Sequence, residues 1–133
     1  MKYLWDTDTC IYYLNGNGNI RRKVKAVGSR EICTTVITVA ELKFGAYHSA
    51  KVGANLERIA KLQKKLTILY KISDPITTAF AENKSLLKKK GITIGDFDLL
   101  IAGFALHYKL VIVTNNISHF KQISSLEIEN WSI

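Results

Sequence analysis

The sequence has one proline, two cysteines and three histidines, and its 11 acidic residues face 19 lysines and arginines. Each scarcity excludes something. Cys10 and Cys33 form no CxxC pair and stand in apolar surroundings, so buried free thiols are expected, not a disulfide or a zinc site. That usage fits a reducing cytoplasm. Long apolar runs are missing too. The most apolar stretch, Leu99 to Leu106, is eight residues long, against about 20 for a helix that crosses a bilayer. No membrane association is therefore expected. Asp6 and Asp8 interrupt what would be the apolar part of a secretory leader, so none is expected. There is no P-loop, no GxGxxG, no internal repeat and no low-complexity tract, which leaves nucleotide-binding motifs and solenoids without support.

What is present reads as an ordinary globular chain. Apolar residues make up 47% and charged residues 23%, and a single domain over residues 1–133 is expected. The net charge of +8 points to a polyanionic partner. Strand and helix signals alternate. Lys2–Asp6 reads as a short buried strand, with a helix starting at Thr7-Asp8-Thr9. The turn cluster Asn15–Asn19 precedes a basic helix over Ile20–Val27. Glu31–Val36 is rich in β-branched residues and reads as a strand. Thr38 and Glu41 have capping-box spacing before a helix to His48. A helix over Asn55–Lys65 and a strand over Thr67–Tyr70 follow. Asp74-Pro75 opens a helix that runs to Lys90. Asp96 reads as the cap of the apolar helix. Leu110–Val113 is a buried strand, Ser118–Ile123 a helical turn, and Leu126–Trp131 a last strand. This alternation predicts a three-layer α/β/α sandwich with a mainly parallel central sheet. Ligands in such folds bind beyond the carboxyl ends of the strands.

Five acids have apolar neighbours and stand at strand ends or helix starts: Asp6, Asp8, Glu41, Asp96 and Asp98. The basic residues cluster elsewhere, in Arg21–Lys25, Lys61–Lys65 and Lys84–Lys90. Asp8 and Asp96 could be helix caps, and Glu41 a capping-box member. Asp6 and Asp98 have no such ordinary reason. Carboxylates that converge without cationic partners raise one another's pKa, and a divalent cation removes the conflict. Oxygen donors without His or Cys favour Mg²⁺ or Mn²⁺. Under a basic exterior, such a site suits phosphodiester hydrolysis. Two other readings stay open: an RNA-binding module whose acids are caps, and a nuclease for single-stranded DNA.

The segments Leu4–Ile11, Thr38–Gly45, Ile94–Ala102 and Val113–Asn116, with the closing Glu129-Asn130-Trp131, resemble the PIN-domain ribonucleases of the VapC toxin type. The resemblance spans essentially the whole chain in order. It implies a PIN-like fold and a metal-dependent endoribonuclease acting on RNA such as tRNA or rRNA. It also implies a VapB-type antitoxin as partner, and a homodimer. Its characteristic acids fall on Asp6, Glu41 and Asp98, with Asp6 and Asp98 as the metal-binding pair. Asp96 and Asn116 join the expected catalytic set, Asp96 tuning charge and Asn116 bonding a water or phosphate oxygen. Asp8 stands where the family usually has Asn, and His119 where relatives often have Glu. Whether those two take part, and whether one metal or two bind, stays open at this stage.

Overall fold

The computed structural model describes residues 1–133. Five short strands form one sheet: β1 (Tyr3–Trp5), β2 (Ile32–Thr35), β3 (Thr67–Leu69), β4 (Val111–Val113) and β5 (Ile128–Glu129). Their order is β3-β2-β1-β4-β5, and every pairing is parallel. Seven helices cover the two faces: α1 (Thr7–Leu14), α2 (Gly18–Val27), α3 (Val36–Tyr47), α4 (Val52–Lys65), α5 (Asp74–Lys89), α6 (Asp96–Tyr108) and α7 (Ile117–Phe120). No helix is long and apolar enough to cross a membrane.

The pleat divides the core in two. Tyr3, Trp5, Val111 and Val113 point to one side, where α1, α2, α3 and α4 bury Cys10, Ile20, Leu42 and Ile59 against them. Leu4 and Ile112 point to the other, against Ile101, Phe104 and Ala105 of α6, Ile76 of α5 and Phe120 of α7. Period-two alternation in two fully covered central strands thus builds the three layers. Cys10 and Cys33 are both free and buried, as expected. Burial pushes both thiols up, Cys33 to about 12, so neither is a nucleophile at neutral pH.

Several expected boundaries move, and the shifts matter to function. The strand signal at Lys2–Asp6 shortens to Tyr3–Trp5, because Asp6 leaves the strand to become the N-cap of α1. Asp8 is therefore not that cap and lies in the first turn. The third helix begins earlier than Thr38. Thr35 caps it, with its hydroxyl accepting from the Thr38 amide at 3.3 Å. Thr38 is then inside the helix, and the Thr38–Glu41 capping box does not form. Helix α6 has Gly95 at its N-cap and no side-chain cap, so Asp96 is not a cap either. Ser73 is the N-cap of α5, with Asp74 and Pro75 just inside. The last strand keeps two of its expected residues, Ile128 and Glu129.

Candidate active site

Strand order reverses direction between β1 and β4, and open parallel sheets leave a crevice beyond their carboxyl ends at that point. Asp6 follows β1 directly. Thr114, Asn115 and Asn116 follow β4. Helices α1 and α3 start at the same edge because each follows its strand, and α6 brings its first turn there.

Asp6 is 3% exposed. One of its oxygens accepts from the Thr9 amide at 3.0 Å, and the other from the Thr114 hydroxyl at 2.6 Å. Burial raises its pKa, and these hydrogen bonds work against that rise. A carboxylate offers about four acceptor positions, so two donors leave room for a further ligand. The Thr114 hydroxyl also accepts from the Asn116 amide at 2.8 Å. The Asn116 side chain meets His119 Nδ1 at 2.7 Å. A chain of hydrogen bonds thus runs from Asp6 through Thr114 and Asn116 to His119.

Glu41 is half-buried on α3. The Thr7 hydroxyl donates to its Oε1 at 2.7 Å and lies 3.1 Å from the Thr38 hydroxyl. Asp98, also half-buried, has neither a hydrogen-bond donor nor an ion-pair partner. Burial pushes its carboxyl up to about 6, and the charges of Asp6, Glu41 and Asp8 add to the rise, while His119 acts in the opposite sense. All three other acids therefore lie close enough for their fields to reach Asp98. Asp96 differs. It is exposed and paired with Lys84 Nζ at 2.8 Å, a pairing 12 residues apart that the lysine run did not announce.

The acids expected at the site are thus gathered at one edge, and the chain has only two ion pairs, Met1–Glu31 and Lys84–Asp96. Neither relieves Asp6, Glu41, Asp8 or Asp98. No three His, Cys, Asp or Glu side chains close into a ready-made metal cage. The donor set suits a hard cation that keeps most of its waters and takes one or two carboxylates, which is how Mg²⁺ is held. Sequence reasoning missed the Thr7 and Thr114 hydroxyls as partners of Glu41 and Asp6, and the Thr9 amide as a second donor to Asp6. The two hydroxyls meet acids 34 and 108 residues away, beyond the reach of any spacing signal.

A doubly wound parallel sheet with unpaired carboxylates at its switch point defines a class, and the chain matches the PIN domain over residues 3–126. It belongs to that family. Within it, the chain is 34% identical over 136 residues to Ribonuclease VapC2 of Rickettsia felis, covering 98% of each. It is 32% identical to the tRNA(fMet)-specific endonuclease VapC of Salmonella typhimurium, again with 98% of each covered. Among solved structures, it superposes on VapBC2 from Rickettsia felis bound to a promoter DNA fragment with a TM-score of 0.90, at 32% identity and with 98% of this chain and 99% of that one covered. The DNA-bound VapBC from Salmonella typhimurium gives 0.91 at 32% identity, with 98% of each covered. The chain is a PIN-domain protein of the VapC ribonuclease type.

Proposed function

We propose that this chain is the toxin of a VapBC-type pair: an Mg²⁺-dependent endoribonuclease that hydrolyses phosphodiester bonds in RNA such as tRNA or rRNA. The observation that carries the reading is Asp98, a half-buried carboxylate with no cation, no donor and three acids around it. Its neutral alternative is a protonated acid that serves no structural purpose there. Asp6 and Asp98 would hold the cation, with Mn²⁺ as a substitute. When bound, such an ion lowers the pKa of a water and offsets charge on the phosphate in the transition state. Glu41, fixed by Thr7, orients the attacking water. Asn116, whose side chain meets His119, would bond a phosphate oxygen or a water. Asp96, with Lys84, tunes the charge at the rim. The uncapped N-terminus of α6 adds donors that favour anions at the same spot.

A VapB-type antitoxin is the partner on this reading. Exposed apolar side chains next to the site, Phe44 and Tyr47 on α3 and Phe97 on α6, supply surface for it and for association of two copies. The cytoplasm, where RNA and antitoxin are found, is the expected place of action.

The test is incubation of the protein with RNA and with single-stranded DNA, with Mg²⁺ or with EDTA, beside Asp98→Asn. The wild type is expected to cut RNA only with Mg²⁺, and the variant to lose a factor on the order of 10² or more. Full-rate cleavage by Asp98→Asn sinks the assignment. Chelator-insensitive binding without cleavage would make the chain an RNA-binding module, and preferred cutting of DNA would change the substrate.

A further inference from the structure

Three depressions adjoin one another across α1, α3, α4 and the start of α6, each sharing a wall with the next. The first holds Asp96, Asp98 and Glu41. Glu41 also lines the second, a groove of ≈ 240 Å³ flanked by Ile11, Leu42 and Ile59. Leu14 and Arg58 close the far end of that groove and belong as well to the third, a cleft of ≈ 190 Å³ lined by Tyr13, Arg21, Lys61 and Lys65. The carboxylates and a cluster of four cations therefore lie in neighbouring depressions, with the Glu41 groove between them.

That cluster is uncompensated. None of Arg21, Arg58, Lys61 and Lys65 takes part in the chain's two ion pairs. Glu57, one turn before Lys61 on α4, is not within ion-pair distance of it. Arg21 and Lys65 both stand over the Tyr13 ring, at 5.0 and 5.7 Å from its centre. Arg21 donates to the Tyr13 carbonyl at 3.3 Å, and Arg58 donates to the Leu14 carbonyl and to Asn55 Oδ1. The carbonyl contacts satisfy the last turn of α1. They account for the two arginines structurally, yet a guanidinium carries five N–H donors, and most remain available here. The contacts also hold both forks in place, which lowers the cost of ordering them on a ligand. The two lysine side chains make no hydrogen bond and no ion pair, and Lys65 touches only the Tyr13 ring. Four like charges around one cleft repel, and a polyanion relieves them.

We propose that this cleft is a phosphate subsite for the RNA backbone, remote from the scissile bond and separated from it by the Glu41 groove. The proposal rests on the ribonuclease reading. An RNA strand lying across the surface suits both places: phosphates meet guanidinium and ammonium groups at the cleft, where Tyr13 offers an aromatic neighbour to a base, and the carboxylates with their cation meet the scissile phosphate. An acidic peptide would satisfy the cleft but meet the carboxylates at the other place unaided.

The test uses Lys61→Gln with Lys65→Gln in one chain, because both side chains are exposed and make no hydrogen bond or ion pair. Lys88→Gln with Lys89→Gln, on α5, is the charge-matched control. Affinity for a labelled tRNA is measured in the Asp98→Asn background across a salt series. Cleavage is measured in otherwise wild-type chains, on the tRNA and on an RNA of about four nucleotides, too short to span both sites. The Lys61/Lys65 variant is expected to bind tRNA roughly tenfold more weakly near physiological salt, with a salt slope reduced by about 1.4, the share of two phosphates. KM for tRNA rises by the same factor, kcat holds, and the short RNA is cut as before. Equal losses in the two variants would mean diffuse attraction and no subsite, which overturns the proposal. So would an unchanged tRNA affinity alongside weakened binding of a VapB-type antitoxin, which would assign the cleft to that partner. If the wild type neither binds nor cuts RNA, the ribonuclease reading itself fails; if it cuts and the Lys61/Lys65 variant binds and cuts tRNA as the wild type does, this inference alone fails.

Discussion

Asp98 is the residue at which folding and function pull apart. Its carboxyl sits near pKa 6 in the folded chain, up from an ordinary 3.8, through burial and then the charges of Asp6, Glu41 and Asp8. A folded-state pKa above the unfolded one means that the native chain holds the proton more tightly. The residue is therefore harmless to stability below about pH 4, and its cost grows as pH rises through 6 and is constant beyond. Asn mimics the neutral acid. Asp98→Asn should melt with the wild type at pH 4 and above it at pH 7.5. The difference is about 1 kcal/mol once solvent screening is allowed for, or about 3–5 °C. Matched melts at both pH values check this, and a variant less stable at pH 7.5 would contradict the unpaired carboxylate. Thr114 makes the opposite case. Its buried hydroxyl donates to Asp6 at 2.6 Å and accepts from the Asn116 amide at 2.8 Å. Thr114→Val keeps the shape and removes both bonds. The expected loss is about 2–3 kcal/mol in chemical denaturation, with cleavage reduced because Asp6 and Asn116 lose their common anchor.

At the scale of elements, the site depends on how closely α5 lets α6 approach. A Cβ at Gly103 would stand 3.2 Å from the Ile76 carbonyl oxygen and 3.3 Å from its Cγ2. Gly103→Ala therefore trades the intrinsic helix preference for Ala against a backbone contact that cannot rotate away. Overpacking of this kind costs about 1–3 kcal/mol, and because α6 carries Asp98 on its first turn, activity should fall with stability. A melt at or above the wild-type value would show that the helices can part without harm. The helix itself was plain in the sequence: Leu99, Ile101, Ala102, Phe104 and Ala105 are all buried, as an apolar run between charged ends requires. The parallel sheet was equally plain, since strands separated by helices have few other arrangements. That logic also pointed Asp6, Glu41 and the Thr114–Asn116 turn at a common edge, whereas Asp98 was joined to them through the resemblance. Cap identity was not legible. Asp6, Thr7, Asp8 and Thr9 are all good N-caps in a row, as are Thr34, Thr35 and Thr38 nearly so, and tertiary packing chose among them. The hydroxyl bonds to the acids and the Lys84–Asp96 pair join residues far apart in sequence, where spacing carries no signal.

For the whole molecule, the sign of charge is sorted in space. A chain with net charge +8 keeps Asp6, Asp8, Glu41 and Asp98 at one mouth, without lysine or arginine in salt-bridge range, while its cations lie along α2, α4 and α5. Neither of the chain's ion pairs involves these acids, so their repulsion, felt at Asp98, is one that a divalent ion can release. This makes cation binding visible without any substrate. An ion that binds only the folded state adds RT ln(1 + [L]/Kd), about 1.4 kcal/mol at ten times its Kd, or about 3–6 °C in the melt. Mg²⁺ should therefore raise the melting temperature of the wild type, EDTA should reverse the rise, and NaCl at matched ionic strength should not reproduce it. Asp98→Asn should lose the shift while folding normally, because one of the two proposed holding groups is gone. Lowering the pH from 7.5 to 5 should weaken the shift in the wild type, since the ion must then displace the proton that Asp98 holds up to about pH 6. An equal Mg²⁺ shift in wild type and Asp98→Asn would place the cation elsewhere on the surface and remove the physical basis for hydrolysis at this edge.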